Sequence, residues 1–424
     1  MDAWRSKAIG KNGMRHGLRA VLLSVALAGL SAFSASAQSV EQQFQQWLSS
    51  DLWPEARARG IQEGTFKASF ANVRPNLDLP DLMLPGQSQP TGSGGQHQAE
   101  FRAPSAYFNS IGGIVSGGRA RASQYAQTLA AIEKQYGVPR GIVLAVWGRE
   151  SGFGGAKIPH NAFEVLGTKA FLATRKAMFR DEVLAALEMV QKRGVAPQSM
   201  RSSWAGAMGQ PQFMPTSYLK YAVDFDGDGR ADIWNSVPDT LASIANYLRS
   251  HGWAQGRDWG FEVSLPAQLS CTLEGPDQGK RIGDWAAMGV QRVSGKPFPA
   301  HEMAGEGFLM LPAGRNGPAF LVTPNFYRLK DYNESDLYAL FIGHAGDRIM
   351  YGDVSFAAPW GKVEGFSRSQ VAAMQQSLEQ QGHDVGGADG LVGFKTRRSI
   401  GLWQERAGTA PTCYPDSGLV QRIR

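Results

Sequence analysis

Apolar positions along the chain fall mostly at helical spacing. Val40 to about Phe70 reads as helical, with Phe44, Trp47 and Leu48 on one face. Asn72–Ala99 is rich in Pro, Gly, Gln and Ser and predicts a surface segment wrapping the core, mobile at Gln87–Gln96. Arg119–Tyr136 predicts an amphipathic helix with Tyr125, Leu129, Ile132 and Tyr136 inward, broken by Gly137-Val138-Pro139. An apolar run, Ile142–Trp147, then leads a second helix to Glu150. Asp181–Arg193 and Val237–His251 predict two more, the latter with Pro238 in its first turn. From Trp259 to Val322 the pattern turns mixed, and Phe261-Glu262-Val263 and Phe320-Leu321-Val322 read as strands between Gly and Pro turns. Ser335–Ile342 returns to helix. Gly352–Gly365 has no period and predicts a linker, followed by helices over Ser367–Gln381 and Phe394–Glu405.

Composition changes this picture in two places. The 424 residues allow two or three domains, and 43% hydrophobic with 19% charged residues describes a globular protein. Residues 1–37 have the three parts of a secretory leader: a basic start, the apolar run Ala20–Leu30, and Ala35-Ser36-Ala37 as a cleavage site. That run is short for a membrane span. No Cys lies beside the cleavage site, so no lipid anchor is expected there. The mature chain is expected from Gln38, soluble in the periplasm. The leader also explains most of the formal charge of +6. It holds five bases against one acid, leaving 38 basic and 36 acidic residues beyond it. No nucleic-acid partner is expected. Cys271 and Cys413 are the only cysteines, and in an exported chain they are candidates for a disulfide whose geometry the sequence does not give.

Three stretches carry candidate chemistry. In Trp147–Gly154, one acid, Glu150, ends an apolar helix beside a Gly-rich turn. Half-burial there would raise its pKa, as a proton donor at neutral pH requires; a solvated helix-end acid is the plainer reading of the octapeptide alone. Ser203–Pro215 combines small residues, aromatics and amides without charge, which suits a wall for an uncharged polar ring. In Asp224–Asp232, acids stand at positions 1, 3, 5 and 9 and Gly229 at 6, with the Arg230 carbonyl at 7. These are the oxygen positions of an EF-hand loop, with Asn235 where the bidentate Glu usually stands.

Together with Asn325-Phe326-Tyr327 and Tyr332-Asn333, these stretches resemble the membrane-bound lytic transglycosylase B family of murein transglycosylases, from about residue 40 to 360. The C-terminal set Asp389-Gly390, Gly393, Thr396-Arg397, Ile400 and Trp403-Gln404 resembles a peptidoglycan-binding domain over Ser367–Ile423. The resemblance implies a mainly α (α+β) fold. A lysozyme-like catalytic domain would span 38–361, with an EF-hand-like loop at 224–239, and a small three-helix domain would span 367–424.

It also implies roles. Glu150 would protonate the glycosidic oxygen between N-acetylmuramic acid and N-acetylglucosamine. It would then act as base on the muramyl 6-hydroxyl, which closes on C1 as a 1,6-anhydro sugar. The substrate supplies the nucleophile, so no second enzyme carboxylate is needed, and Ser203–Tyr218 contains none. Ser203 and Gln212 match groove residues, Met208 and Phe213 would support the acid's apolar surroundings, and Tyr247, Tyr332, Asn333 and Tyr338 would line the groove. Arg175 and Lys176 match more loosely, with solvated surface charge as the simpler reading. Asp224, Asp226, Asp228, Arg230 and, closing an enlarged loop, Asp239 would hold a structural calcium ion, and the chemistry would need no cofactor. Glycan strands of peptidoglycan are the expected partner. A hydrolytic muramidase of the same fold and a non-catalytic wall-binding protein are the alternatives.

Overall fold

The Arg140–Ser151 helix has no polar face before its last turn, and the fold closes around it. In the computed structural model, which describes residues 39–91, 103–352 and 354–423, Gly141 through Gly148 are all buried. The leader at 1–37 and the 92–96 part of the expected mobile segment lie outside the described residues. Helices Ile111–Gln124, Ala126–Tyr136, Val237–Ser250 and Asp336–Tyr351 pack around this central helix. Its closest neighbour is Asp336–Tyr351. At their crossing, a Cβ on Gly141 would sit 2.6 Å from the Gly346 carbonyl oxygen, so the two backbones meet only because both residues are glycine. Gly152, at φ 58°, then turns the chain away one residue after the helix ends.

The predicted helices are present, with changed limits. Val40 to Ala58 is helical throughout, with a π turn over Leu48–Leu52, and after a break Glu63–Ser69 forms a second helix. The expected Arg119–Tyr136 helix is two helices, because Tyr125 leaves helical geometry (φ −109°, ψ 27°) to lay its ring edge-on to Trp147, 6.0 Å away. Leu129, Ile132 and Tyr136 still point inward. The expected Asp181–Arg193 helix starts earlier, at Lys176, and the one expected over Ser335–Ile342 runs on to Tyr351 with Ser335 as its cap. A second apolar core joins the N-terminal segments to Ala162–Leu172 and Lys176–Arg193, and it takes in Met208, Phe213 and Tyr218 from the uncharged motif.

The mixed stretch forms a five-stranded antiparallel sheet in the order Lys280–Arg281, Glu306–Met310, Ala319–Val322, Gly260–Ser264, Gln291–Arg292. The two segments read as strands are direct partners, with Phe261 opposite Leu321. One sheet face packs on the central helical core through Phe308, Met310, Phe320 and Val322. The other holds Phe261, Val263, Leu309 and Leu321 in a core of its own.

The last three helices, Arg368–Gln380, Phe394–Arg406 and Ser417–Ile423, share a small separate apolar cluster. A capping box of Ser367 and Gln370 starts the first of them. Cys271 and Cys413 are joined as a disulfide, tying this cluster to the sheet region. The intervening stretch has no regular structure, but it is held down. Ala357 and Ala358 donate backbone N–H bonds to the Glu262 carboxylate, and Trp360 stacks on Phe108. Val40–Arg424 accordingly packs as one unit. Among the described residues, no helix is long and apolar enough to cross a membrane.

Candidate active site

Glu150 sits in the last turn of the buried central helix, half-buried, at the wall of a cleft of about 950 Å³. Its Oε1 accepts a 2.6 Å hydrogen bond from the Tyr338 hydroxyl. Burial pushes the Glu150 carboxyl up to about 7, although the Tyr338 bond and the nearby Arg149 charge oppose that rise. The Arg149 guanidinium itself lies over the rings of Tyr107 and Phe341. Burial, and then the Glu150 carboxylate, hold the Tyr338 hydroxyl well above its ordinary range, so it stays a donor.

The tyrosines come together as a run of rings. Tyr332 stacks beside Tyr338 at 6.4 Å and meets Tyr247 at 4.7 Å, while Phe213 packs against both Tyr247 and Tyr332. The Tyr332 hydroxyl donates to the Pro211 carbonyl, so the tyrosine run is hydrogen-bonded to the uncharged motif. That motif is a tight turn. Met208 and Phe213 pair their backbones, Gln212 takes a left-handed φ of 54°, and Gln212 Nε2 donates to the Gly209 carbonyl. Ser203 Oγ accepts from the N–H groups of Ala205 and Ala207. Met208 and Phe213 are buried in the second core, not in the core around the Glu150 helix.

Glu150, Asn333, Tyr338 and Arg175 line one cleft. Ser203, Gln212, Tyr247 and Tyr332 are not on its wall, and neither is the exposed Lys176. Further wall residues come from the C-terminal helices, the loops between them and the loop before them, through Glu364–Phe366, Gly390–Phe394, Arg397 and Tyr414. Of the other acids in the wall, Asp336 is bound by Lys330 and Arg397, Glu364 accepts from Ser417, and Glu334 is exposed. Glu164 and Asp181, the acids nearest in sequence, are engaged with Asn76 and Arg59 away from the cleft.

Two elements of the site escaped sequence reading. Gln210 Oε1 accepts from the buried Trp147 indole N–H at 2.8 Å, and its Nε2 donates to the Trp234 carbonyl at 3.0 Å. This amide fastens the Glu150 helix to the motif wall, and its place inside that motif was the available signal. The Lys330–Asp336–Arg397 group gave no signal as a group, because Arg397 lies 61 positions beyond Asp336.

In the acidic loop, the carboxylates of Asp224, Asp226 and Asp239 converge to within 4.8 Å of one another. Asp228 turns its carboxylate to the Arg230 N–H and stands outside that trio. Asp239 is fully buried from the following helix and accepts from the N–H groups of Phe225, Asp226 and Asp232. Among the described residues no Lys or Arg pairs with the trio. A hard cation fits three convergent carboxylates of this kind.

The transglycosylase SLT domain model matches residues 43–347. This chain belongs to that family. The SLT-domain match covers every site residue above except those of the C-terminal helices, the loops between them and the loop before them. Membrane-bound lytic murein transglycosylase B of Escherichia coli (strain K12) is 33% identical over 233 residues, which cover 55% of this chain and 63% of that protein. The chain thus spans somewhat under two thirds of that curated relative. The crystal structure of SltB3 from Pseudomonas aeruginosa in complex with NAG-NAM-pentapeptide superposes with a TM-score of 0.78 at 38% identity, over 90% of this chain and 99% of that one. The Escherichia coli lytic transglycosylase Slt35 in complex with calcium has a TM-score of 0.56 at 25% identity, over 73% of this chain and 93% of that one. These SLT-domain relatives bear out the expected family and the lysozyme-like, mainly helical fold.

Proposed function

We propose that the chain cleaves the β-1,4 bond between N-acetylmuramic acid and N-acetylglucosamine in peptidoglycan without using water. The observation that carries this reading is a carboxyl raised to about 7, held at 2.6 Å by a tyrosine, in a cleft whose other acids are engaged or at its rim. Protonated Glu150 gives its proton to the glycosidic oxygen as the C1–O bond breaks, freeing the N-acetylglucosamine 4-hydroxyl. The carboxylate so formed, steadied by Tyr338, takes the proton of the muramyl 6-hydroxyl as that oxygen bonds to C1. The acid is then regenerated and the muramyl end is a 1,6-anhydro sugar. Tyr338 and Asn333 on the cleft wall, with Tyr332 stacked beside Tyr338, are assigned to the oxocarbenium-like centre, and Ser203, Gln212 and Tyr247, off that wall, to an extension of the groove beyond the Tyr332 ring. Arg175, on the cleft wall, suits a carboxylate of the lactyl group or peptide.

Two features complete the proposal. Asp224, Asp226 and Asp239, with the Arg230 carbonyl, hold a structural calcium ion that neutralises the loop. The C-terminal helices hold the glycan strand at the cleft, in a protein exported to the periplasm by the leader at 1–37. Mass spectrometry of products released from purified sacculi tests the reaction. Muramyl ends lighter by one water support it, reducing ends indicate a hydrolytic muramidase, and no soluble product indicates a binding protein.

A further inference from the structure

The buried ion group between the C-terminal helices and the start of the Asp336–Tyr351 helix sits two residues from a cleft-lining tyrosine. Arg397, on the Phe394–Arg406 helix, is almost fully buried. Its guanidinium takes both oxygens of the buried Glu274 at 2.6 and 3.0 Å, donates to the Val392 carbonyl at 2.8 Å, and reaches Asp336 Oδ2 at 3.3 Å. Lys330 Nζ takes the other Asp336 oxygen at 2.6 Å. Asp336 is the first residue of its helix, and Tyr338 follows within the same turn, with its backbone N–H on the Ser335 cap. Where that turn sits therefore decides where the Tyr338 hydroxyl sits. No other described interaction links a charged side chain of the C-terminal helices to that turn.

We propose that Arg397, through Asp336, is a positioning residue for the Tyr338–Glu150 hydrogen bond, so that the C-terminal helices complete the catalytic acid as well as holding the strand. This rests on the reading of Glu150 as the acid. The geometry favours it over a simple clamp in one respect. Glu274 alone would satisfy a clamp between C-terminal helices and sheet region, with its remaining oxygen capacity on the Leu311 N–H at 2.8 Å. The additional reach to Asp336 involves the helix that carries the tyrosine. Burial pushes the Asp336 carboxyl up, but Lys330 and Arg397 outweigh it and hold it below its ordinary value, so it stays charged and bound at working pH. An arginine suits the place because its planar fork serves two carboxylates at once, which the point charge of a lysine does not.

The groups that face Glu150 are Tyr338 and Tyr332 from two helices and Arg149 from its own, with Arg175 on the same cleft wall. Tyr338 lowers the Glu150 pKa, so loosening its bond raises that pKa and moves the alkaline limb of activity to higher pH. The test uses the full-length chain on soluble glycan fragments, with Asp336→Asn, Arg397→Lys, Tyr338→Phe and the Asp336→Asn/Tyr338→Phe pair. Asp336→Asn leaves the Arg397–Glu274 pair intact, and Arg397→Lys keeps the charge opposite Glu274, which guards against loss of the fold. The expected result is a drop of roughly tenfold in kcat for both single variants. Their alkaline limb should shift in the direction of Tyr338→Phe, and the double variant should be no worse than Tyr338→Phe alone. If both variants keep the wild-type rate and limb while Tyr338→Phe shifts it, the positioning role is overturned and the reading of Glu150 stands. Multiplicative losses in the double variant also overturn it. If Glu150→Gln, run alongside, remains active, the reading of Glu150 falls and this proposal with it.

Discussion

The indole N–H of Trp147 and the side-chain carbonyl of Gln210 meet at 2.8 Å, joining the helix that carries Glu150, the proposed acid, to the Ser203–Pro215 motif. Both residues are buried, so neither group has water as a substitute partner. Gln210→Leu keeps the volume and removes the acceptor. The expected cost is about 1–3 kcal/mol of stability, read as a lower midpoint of urea unfolding. Turnover should fall further than stability explains, because Glu150 and the motif lose their common anchor. Unchanged unfolding would show that the indole finds another acceptor.

Glu150 should cost the protein stability at neutral pH. Its folded carboxyl titrates near 7, above the ordinary 4.5 of an exposed glutamate. Between those values the folded state binds more protons than the unfolded chain, so the stability it contributes is complete below about 4.5 and is lost as pH rises through 7. Glu150→Gln removes this dependence. The variant should be inactive, equal to wild type in stability near pH 4, and more stable above pH 7 by up to about 3 kcal/mol. Paired unfolding curves at the two pH values check it. The same carboxyl should set the alkaline limb of wild-type activity near neutrality, since the donor must hold its proton.

Calcium should stabilise the chain through the loop that follows the groove motif. Asp224, Asp226 and Asp239 converge with no basic partner among the described residues, so their mutual repulsion is relieved when a cation binds. Millimolar calcium added after chelation should raise Tm by several degrees, as RT ln(1 + [L]/Kd) requires for a ligand of the folded state. Asp226→Ala should abolish that rise while leaving some activity. Asp228→Ala should reduce it less, because the Asp228 carboxylate is turned to Arg230.

Cutting the chain after Gly361 should destabilise what remains. The C-terminal helices have their own apolar cluster, but their removal leaves Glu274 buried without Arg397 and leaves Cys271 without Cys413. An uncompensated buried charge costs about 3–5 kcal/mol. The truncated chain should therefore show a much lower Tm, and Glu274→Gln within it should recover part of the loss. A truncated chain as stable as the whole would mean that Glu274 reaches water once the helices are gone.

Sequence patterns reached the parts of this molecule that are local. The central helix was visible because nothing polar interrupts Ile142–Trp147, and the short strands were visible because Gly and Pro bracket them. Glu150 and Tyr338 were named, yet their 2.6 Å contact spans 188 positions and no spacing rule describes it. The break at Tyr125 was hidden for a similar reason. Helical spacing runs through it, and only the tertiary contact with Trp147 pulls that residue out of line. Charge gave least. Arg397 was legible only as part of the C-terminal motif and Asp336 not at all, and their contact spans 61 positions that no charge pattern connects.

The glycine crossing of Gly141 and Gly346 has a mechanical corollary. One helix runs nine residues from the crossing to the acid, the other eight residues back to the tyrosine, so the pair forms two arms of nearly equal length, each about 12–14 Å. The arms touch at the pivot through backbone and at the tips through a hydroxyl and a carboxylate. A single methyl at the pivot, as in Gly346→Ala, would meet the Gly141 backbone at 3.1 Å and spread the arms. The tip contact would then lengthen although no group in the cleft had changed. The acid's proton affinity is thus gauged from a point that has no chemistry of its own, and a rise in the Glu150 pKa of Gly346→Ala would report the spread.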